Sequence, residues 1–164
     1  MSMAHRYRRW FQYEQDSYAR VLLSMESVPK GMKASPEFQK CLQLIGHMVA
    51  ARWMWLFRLG GVAEPPAVIH PVNQDFAAVK SDLEKMCAAW SGFLADVNDQ
   101  DLERVIAYRT TDGRQFDSMV EDLLIHLYGH SHYHRGQVAL LIRNMGGTPA
   151  ATDFIFWARE AENN

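Results

Sequence analysis

Apolar residues recur every three or four positions along most of this chain, and that spacing is typical of amphipathic α-helices. The pattern marks four long helices and one short C-terminal helix, over about residues 4–27, 36–59, 73–96, 118–144 and 154–161. Amphipathic helices of this length bury their apolar faces against one another. The sequence therefore predicts an all-α fold, a four-helix bundle formed by a single domain over residues 1–164.

The segment between the third and fourth helices has the only strand-like pattern in the chain. Residues 104–116 contain an Asp112-Gly113 pair that favours a tight turn, so we expect a short hairpin before helix four. Residues 60–73 are rich in glycine and proline, and they are expected to form a long loop. This loop and the hairpin are both candidates to rim a functional site.

Residues with capping preferences precede three of the helices. A Ser-Pro-Glu sequence at residues 35–37 is typical of a helix start, with a capping serine and a first-turn proline. Asn73 is expected to cap the third helix. Ser118 and Glu121 are expected to form a capping box at the start of the fourth.

Composition and charge narrow the classes of partner. The net charge of −2 argues against binding to nucleic acid or to an anionic membrane through bulk electrostatics. Arg52 and Arg58 interrupt the most apolar run, so no transmembrane helix is expected. The N-terminus lacks the apolar region of a signal peptide. Cys41 and Cys87 both lie in apolar stretches, so they are interpreted as core residues or free thiols and not as a disulfide framework. We therefore expect a cytoplasmic protein.

His130 and His134 stand four residues apart, so both imidazoles lie on one face of the predicted fourth helix. That face also carries a stripe of apolar residues: Leu123, Leu127, Val138, Leu141 and Met145. A polar ring in such a stripe needs a partner, because burial without one is costly. The spacing leaves two interpretations open: a shared metal ion, or two core histidines with hydrogen-bonded partners.

One metal ion cannot bind three histidines at successive turns of a helix. His126 and His134 are about 12 Å apart along the axis, so an ion binds His130 together with only one of them. The apolar stripe lies nearer to His134, which favours the pair of His130 and His134. His132 is expected to point into solvent. His47 lies in the most apolar helix, and it is the best candidate for a third ligand.

Three neutral imidazoles suit Zn²⁺, Ni²⁺, Fe²⁺ or Cu²⁺, and three protein ligands with one open position form the pattern of a catalytic site. No glutamate stands three residues before these histidines, as di-iron bundles require, and the chain has no HExxH motif. No residue is identified as a general base.

Arg52 lies in an apolar stripe of the second helix, where its guanidinium either pairs with a carboxylate or faces a ligand anion. Of these two interpretations, the ion pair is favoured.

Residues 126–149, with the sequence HLYGHSHYHRGQVALLIRNMGGTP and with Asp153 after them, resemble the C-terminal signature of the DinB/YfiT-like family. A second block of that family, a histidine before a Trp-x-x-Arg-Leu stretch, is matched by His47 and residues 55–59. The resemblance implies a four-helix bundle, often dimeric, in which three histidines hold a divalent metal such as Zn, Ni or Fe. By position these ligands are His47, His130 and His134.

Some members of this family are metal-dependent thiol transferases or isomerases that use low-molecular-weight thiols such as bacillithiol or mycothiol. In some of these a glutamate replaces the middle ligand, which here is His130. The subfamily with that glutamate is therefore not indicated. The enzyme hypothesis that the family resemblance leaves open is a metal-dependent thiol S-transferase that acts on a small electrophile, or a related hydrolase. The alternatives are a stress-response protein that binds metal or a small ligand without turnover, and a structural dimer with core histidines only.

We expect a homodimer formed through a helical face, because the chain has five tryptophans and interfaces favour such residues.

Overall fold

The computed structural model describes residues 1–162, in which four long helices form a bundle beside a two-stranded hairpin. In chain order the elements are α1 Met3–Glu26, a 3-10 turn Lys30–Met32, α2 Pro36–Arg58, α3 Phe76–Asp96, α4 Asp99–Glu103, β1 Val105–Arg109, β2 Gln115–Met119, α5 Val120–Asn144 and α6 Phe154–Glu162. The predicted helical bundle, the hairpin before the fourth long helix and the short C-terminal helix are confirmed.

Helix α2 packs against both α3 and α5, and α1 packs against the same two helices from the other side. The core between them is filled by large side chains that are at most 1% exposed: Tyr7, Tyr18, Met25, Leu42, Ile45, Met48, Leu56, Met86 and Trp90. Burial of each such side chain contributes about 1.5–3 kcal/mol, so this core dominates the stability of the bundle. Within the described residues, no helix combines the length and the apolar character needed to span a membrane.

The start of the second helix was predicted correctly, and the start of the third was not. The Ser35 hydroxyl accepts a hydrogen bond of 3.2 Å from the backbone N–H of Phe38, as expected of an N-cap. At α3 the cap is Asp75, whose carboxylate accepts from the N–H of Ala78 at 3.0 Å. Asn73 lies two residues earlier in the left-handed region, with a φ of 52°, where it shapes the loop and not the helix.

The hairpin is longer at its second strand than the sequence pattern indicated. The strands are antiparallel, Gly113 takes a φ of 86° in the turn, and Ser118 pairs with Ile106 as a strand residue. The predicted capping box of Ser118 and Glu121 is therefore wrong, because strand pairing holds the serine away from the helix start. The N-cap of α5 is Met119, and none of the described side chains caps the start of this helix.

The short helix α4 was not predicted, although its sequence carries a capping signal. The Asn98 side chain accepts from the N–H of Asp101 at 3.2 Å, and the Asp101 carboxylate accepts from the N–H of Asn98 at 2.9 Å. This reciprocal pair is a capping box. A helix of five residues is too short for the apolar period to reveal it.

Candidate metal centre

Three histidines from two helices converge in the bundle. The Nε2 atom of His130 on α5 lies 3.1 Å from Nε2 of His47 on α2, and 3.1 Å from Nε2 of His134, one turn further along α5. One ligand atom of each ring lies within 4.8 Å of the others, which is close enough for a shared metal ion. All three side chains are half-buried. The residues predicted as a cluster are therefore brought together.

Hydrogen bonds on the far side of two rings fix which nitrogen faces the cluster. Nδ1 of His47 lies 2.8 Å from the backbone carbonyl of Ile69, and Nδ1 of His134 lies 2.8 Å from Oε1 of Gln137. Both partners are acceptors, so each Nδ1 carries the proton of a neutral ring and each Nε2 presents a lone pair. An outer hydrogen bond of this kind orients most metal-binding histidines.

The cluster has too few protons to satisfy itself with hydrogen bonds. Nε2 of His130 faces lone pairs on both His47 and His134, and a neutral ring can donate its one Nε2 proton to only one of them. The remaining contact brings two lone pairs together at 3.1 Å. A cation among the three nitrogens removes this conflict, and nitrogens bound to tetrahedral zinc are about 3.3 Å apart. The donor set thus fits a divalent transition metal.

The neutral form of the cluster is favoured at neutral pH. Burial, together with the neighbouring imidazoles of His134 and His47, lowers the pKa of His130 to about 4. Burial also lowers the pKa of His47. Because only a neutral imidazole binds a metal, these shifts keep the site ready for an ion above mildly acidic pH.

In the metal-free protein, we expect the free energy of unfolding to fall as the pH is lowered from about 6.5 to about 4.5. The folded-state pKa of His130 lies below its ordinary value, so in this range the unfolded chain binds more protons and acid favours unfolding. Urea denaturation across the range measures the effect. His130→Gln lacks the titrating ring and should show a shallower slope, and equal slopes for the two proteins would contradict the assignment.

The other two histidines of the signature lie outside the cluster. The His126 ring is exposed and lies 5.7 Å from the His130 ring, beside Trp55. His132 is exposed, as predicted, but it is not simply solvated. Its Nε2 lies 2.9 Å from the Tyr13 hydroxyl, and its Nδ1 contacts a backbone carbonyl.

A fourth histidine beside the cluster was missed by the sequence analysis. The His70 ring stacks on the His47 ring, with centroids 4.3 Å apart and planes 15° from parallel. His70 belongs to the Gly- and Pro-rich loop that was expected to rim a site, and the neighbouring Ile69 supplies the carbonyl for His47. The hairpin, by contrast, contributes none of the described residues that line the cavity next to the cluster.

The loop lies against α2 at a glycine that directly precedes His47. A Cβ on Gly46 would fall 1.9 Å from Oε1 of Gln74 and 2.9 Å from the ring of Pro71. Glutamine can move aside, but the proline ring is rigid and belongs to the segment that supports His47. The absence of a side chain at this position therefore sets how closely the loop approaches the cluster.

We expect Gly46→Ala to lower metal affinity by about 10- to 100-fold, as is typical when an outer-shell support of a ligand is lost. The added methyl group displaces the loop and loosens the hydrogen bond on His47. Competition with a chromophoric chelator measures the affinity. Gly129→Ala is the matched control, because a Cβ there meets no described atom within 4 Å beyond its own stretch of helix, although the residue directly precedes His130. Equal losses in both variants would contradict the role of the loop.

A buried ion cluster ties together the segments that carry the histidines. Glu14 on α1 is fully buried, and its carboxylate accepts from the guanidinium of Arg52 on α2 at 2.8 Å and from that of Arg135 on α5. The Tyr18 hydroxyl also bonds Glu14, and it lies 2.8 Å from Ser131 Oγ. Although burial acts to raise it, the two guanidiniums hold the pKa of Glu14 below its ordinary value.

The predicted ion pair of Arg52 is confirmed, and its carboxylate partner was missed. Arg52 lies five residues after His47, and Arg135 directly follows His134. The ion cluster therefore fixes α2 and α5 relative to each other close to the three histidines.

A cavity of about 560 Å³ adjoins the cluster between α2, the loop and α5, and both His47 and His134 line it. A slightly larger cavity of about 640 Å³ lies between the loop and the other side of α2, and it includes none of the clustered histidines. The first cavity is the one from which a small molecule would reach the candidate metal centre.

Comparison with known proteins agrees with this architecture. The whole chain, residues 1–164, matches the model of the DinB family. No curated protein matches the chain. The crystal structure of a DinB-like protein from Bacillus cereus is similar to it, with a TM-score of 0.67 and 22% identity over 88% of this chain and 94% of that one. The likeness to this crystal structure supports the fold. Because the DinB family model matches residues 1–164, the chain belongs to the DinB family.

Proposed function

We propose that this protein binds one divalent transition metal ion through Nε2 of His47, His130 and His134. The observation that carries the proposal is the arrangement of the three nitrogens, two of which have their tautomer fixed by an outer hydrogen bond. Zn²⁺, Ni²⁺ and Fe²⁺ all accept imidazole ligands in this number. The family resemblance supports the same three residues.

The proposed centre keeps one position open for a ligand from solution. Within residues 1–162, the group of side chains close enough to share an ion contains these three histidines and no cysteine or carboxylate. Cys41 lies elsewhere in the core, and burial raises the pKa of its thiol to about 12. Three protein ligands with an open position form the catalytic pattern, whereas structural zinc sites are closed by four.

We propose that the reaction is transfer of a small thiol to a small electrophile. His47, His130 and His134 would hold a divalent ion, and such an ion would lower the pKa of a bound thiol and so make thiolate available at neutral pH. The thiol loses its proton to solvent, its sulfur forms a bond to an electrophilic carbon, and the leaving group departs with the electron pair of the broken bond. The cavity beside His47 and His134 has room for both reactants.

Metal analysis of protein purified without an affinity tag tests the first part of this proposal, and about one ion per chain is expected. A screen of thiols with small electrophiles tests the second part. Turnover should require the metal, so protein treated with a chelator is the matched control. Stoichiometric metal without turnover of any pair would favour a binding protein over an enzyme, and protein that takes up no metal would contradict both parts.

We also propose a homodimer formed through a helical face. Large apolar side chains remain exposed on several helices, among them Leu23, Ile125, Ile155 and Phe156, which are each about half exposed or more. A partner subunit that packs against one of these helices would cover such side chains and remove their apolar surface from water. Light scattering at high concentration should give twice the mass of the chain, and a clean monomer mass would contradict the dimer.

A further inference from the structure

The cavity beside the candidate metal centre has an unbalanced charge. Among the described residues that line it, Lys40 supplies an ammonium group, and there is no aspartate or glutamate. Within residues 1–162, Lys40 makes no salt bridge and no side-chain hydrogen bond. Three neutral imidazoles leave the charge of a divalent ion uncompensated. A loaded site would therefore present two separate centres of positive charge in one half-enclosed space, and the described part of the chain supplies an anion to neither of them.

The remaining walls of the cavity are mostly apolar. Leu44 and Leu141 form its inner side. Val72, Tyr133 and Leu140 line its outer part and are 66%, 65% and 57% exposed. Large apolar side chains left uncovered around one concave site are typical of a groove that binds an apolar group.

We propose that the ligand of this cavity is a small amphiphilic acid. One end carries the group that binds the metal, the middle is apolar and lies against Val72, Tyr133 and Leu140, and the far end carries a carboxylate that pairs with Lys40. This inference rests on the proposed metal centre and specifies the class of substrate that the centre accepts. Charge complementarity favours an acid over a neutral analogue, because none of the carboxylates in residues 1–162 forms a salt bridge with Lys40.

Two thiols that differ only at the far end test this inference. The full-length protein is loaded with Co²⁺ and titrated with mercaptohexanoate and, separately, with mercaptohexanol, while the thiolate-to-cobalt absorption band is followed. The acid should bind about tenfold more tightly than the alcohol at low ionic strength, and added salt should reduce this preference because it screens a partly exposed ion pair.

Substitutions at Lys40 separate its charge from its bulk. Lys40→Gln should abolish the preference for the acid, with the affinity for the alcohol and the cobalt content kept at wild-type levels, and Lys40→Arg should restore the preference. Lys85→Gln is the matched control, because this lysine is exposed on α3, outside the cavity.

Each outcome of the experiment is informative. Equal affinities for the acid and the alcohol, or a Lys40→Gln protein that keeps the preference, would overturn the inference and leave the metal centre intact. The same holds if cobalt is bound and neither thiol gives the absorption band. Protein that takes up no cobalt would overturn the proposed metal centre, and this inference with it.

Discussion

Replacement of His134 by alanine is expected to lower the affinity for Zn²⁺ or Co²⁺ by at least about 100-fold and to leave the helix content unchanged. The variant keeps two of three ligands, and loss of even an outer-shell partner of a metal ligand costs about 10- to 100-fold. The bundle does not depend on this ring, because its core is filled by large apolar side chains. Chelator competition gives the affinity, and circular dichroism gives the helix content.

His126→Ala is the matched control for this experiment. His126 is also a histidine of α5, one turn before His130, and it lies outside the cluster. Wild-type affinity is expected for this variant. The assignment would be wrong if the His134→Ala protein held stoichiometric metal, or if the two substitutions had equal effects.

The second large effect is expected at Glu14, where substitution by glutamine should lower the free energy of unfolding by about 3–5 kcal/mol. The change keeps the shape of the side chain, but it leaves the buried guanidiniums of Arg52 and Arg135 without their anion. Burial of an unpaired charge is one of the most destabilising single changes. Urea denaturation at neutral pH measures the loss.

The ion cluster has one carboxylate, Glu14, and two guanidiniums, Arg52 and Arg135. Loss of the carboxylate should therefore lower the free energy of unfolding more than loss of one guanidinium. Arg52→Met leaves Glu14 paired with Arg135, and a smaller loss of stability is expected than for Glu14→Gln. Glu84→Gln, at an exposed position of α3, should change the stability by less than about 0.5 kcal/mol. A Glu14→Gln protein as stable as the Arg52→Met protein would contradict the view that Glu14 is the shared counterion.

The long helices and the three clustered histidines were predictable because both follow from helical periodicity. His47, His130 and His134 occupy apolar faces of long helices, and the faces of a bundle that are apolar must meet. The apolar stripe of α1 also carries a signal for Glu14, which stands between Phe11 and Tyr18. A carboxylate in an apolar stripe needs a buried cation, just as the guanidinium of Arg52 needs a buried anion.

Features that depend on the path of a loop or on competition between local patterns were not predictable. His70 reaches His47 only because residues 60–73 fold back over α2, and no periodicity fixes that path. Ser118 carried a good capping pattern, but pairing of its strand with β1 prevailed. Asn73 likewise has a residue type suited to a cap, although its backbone turns in the left-handed region before the helix begins.

The buried carboxylate that joins α1, α2 and α5 has a consequence for the life of the protein in a cell. In zinc fingers, the metal supplies the free energy that folds the chain, so folding and metal uptake are one event. Here Glu14 and its two arginines hold the histidine-bearing helices together through ion pairs that are separate from the three histidines. We therefore expect uptake of the proposed metal ion to be separable from folding: the chain would fold first, and would later take up or exchange an ion at the three histidines according to its availability, without having to unfold.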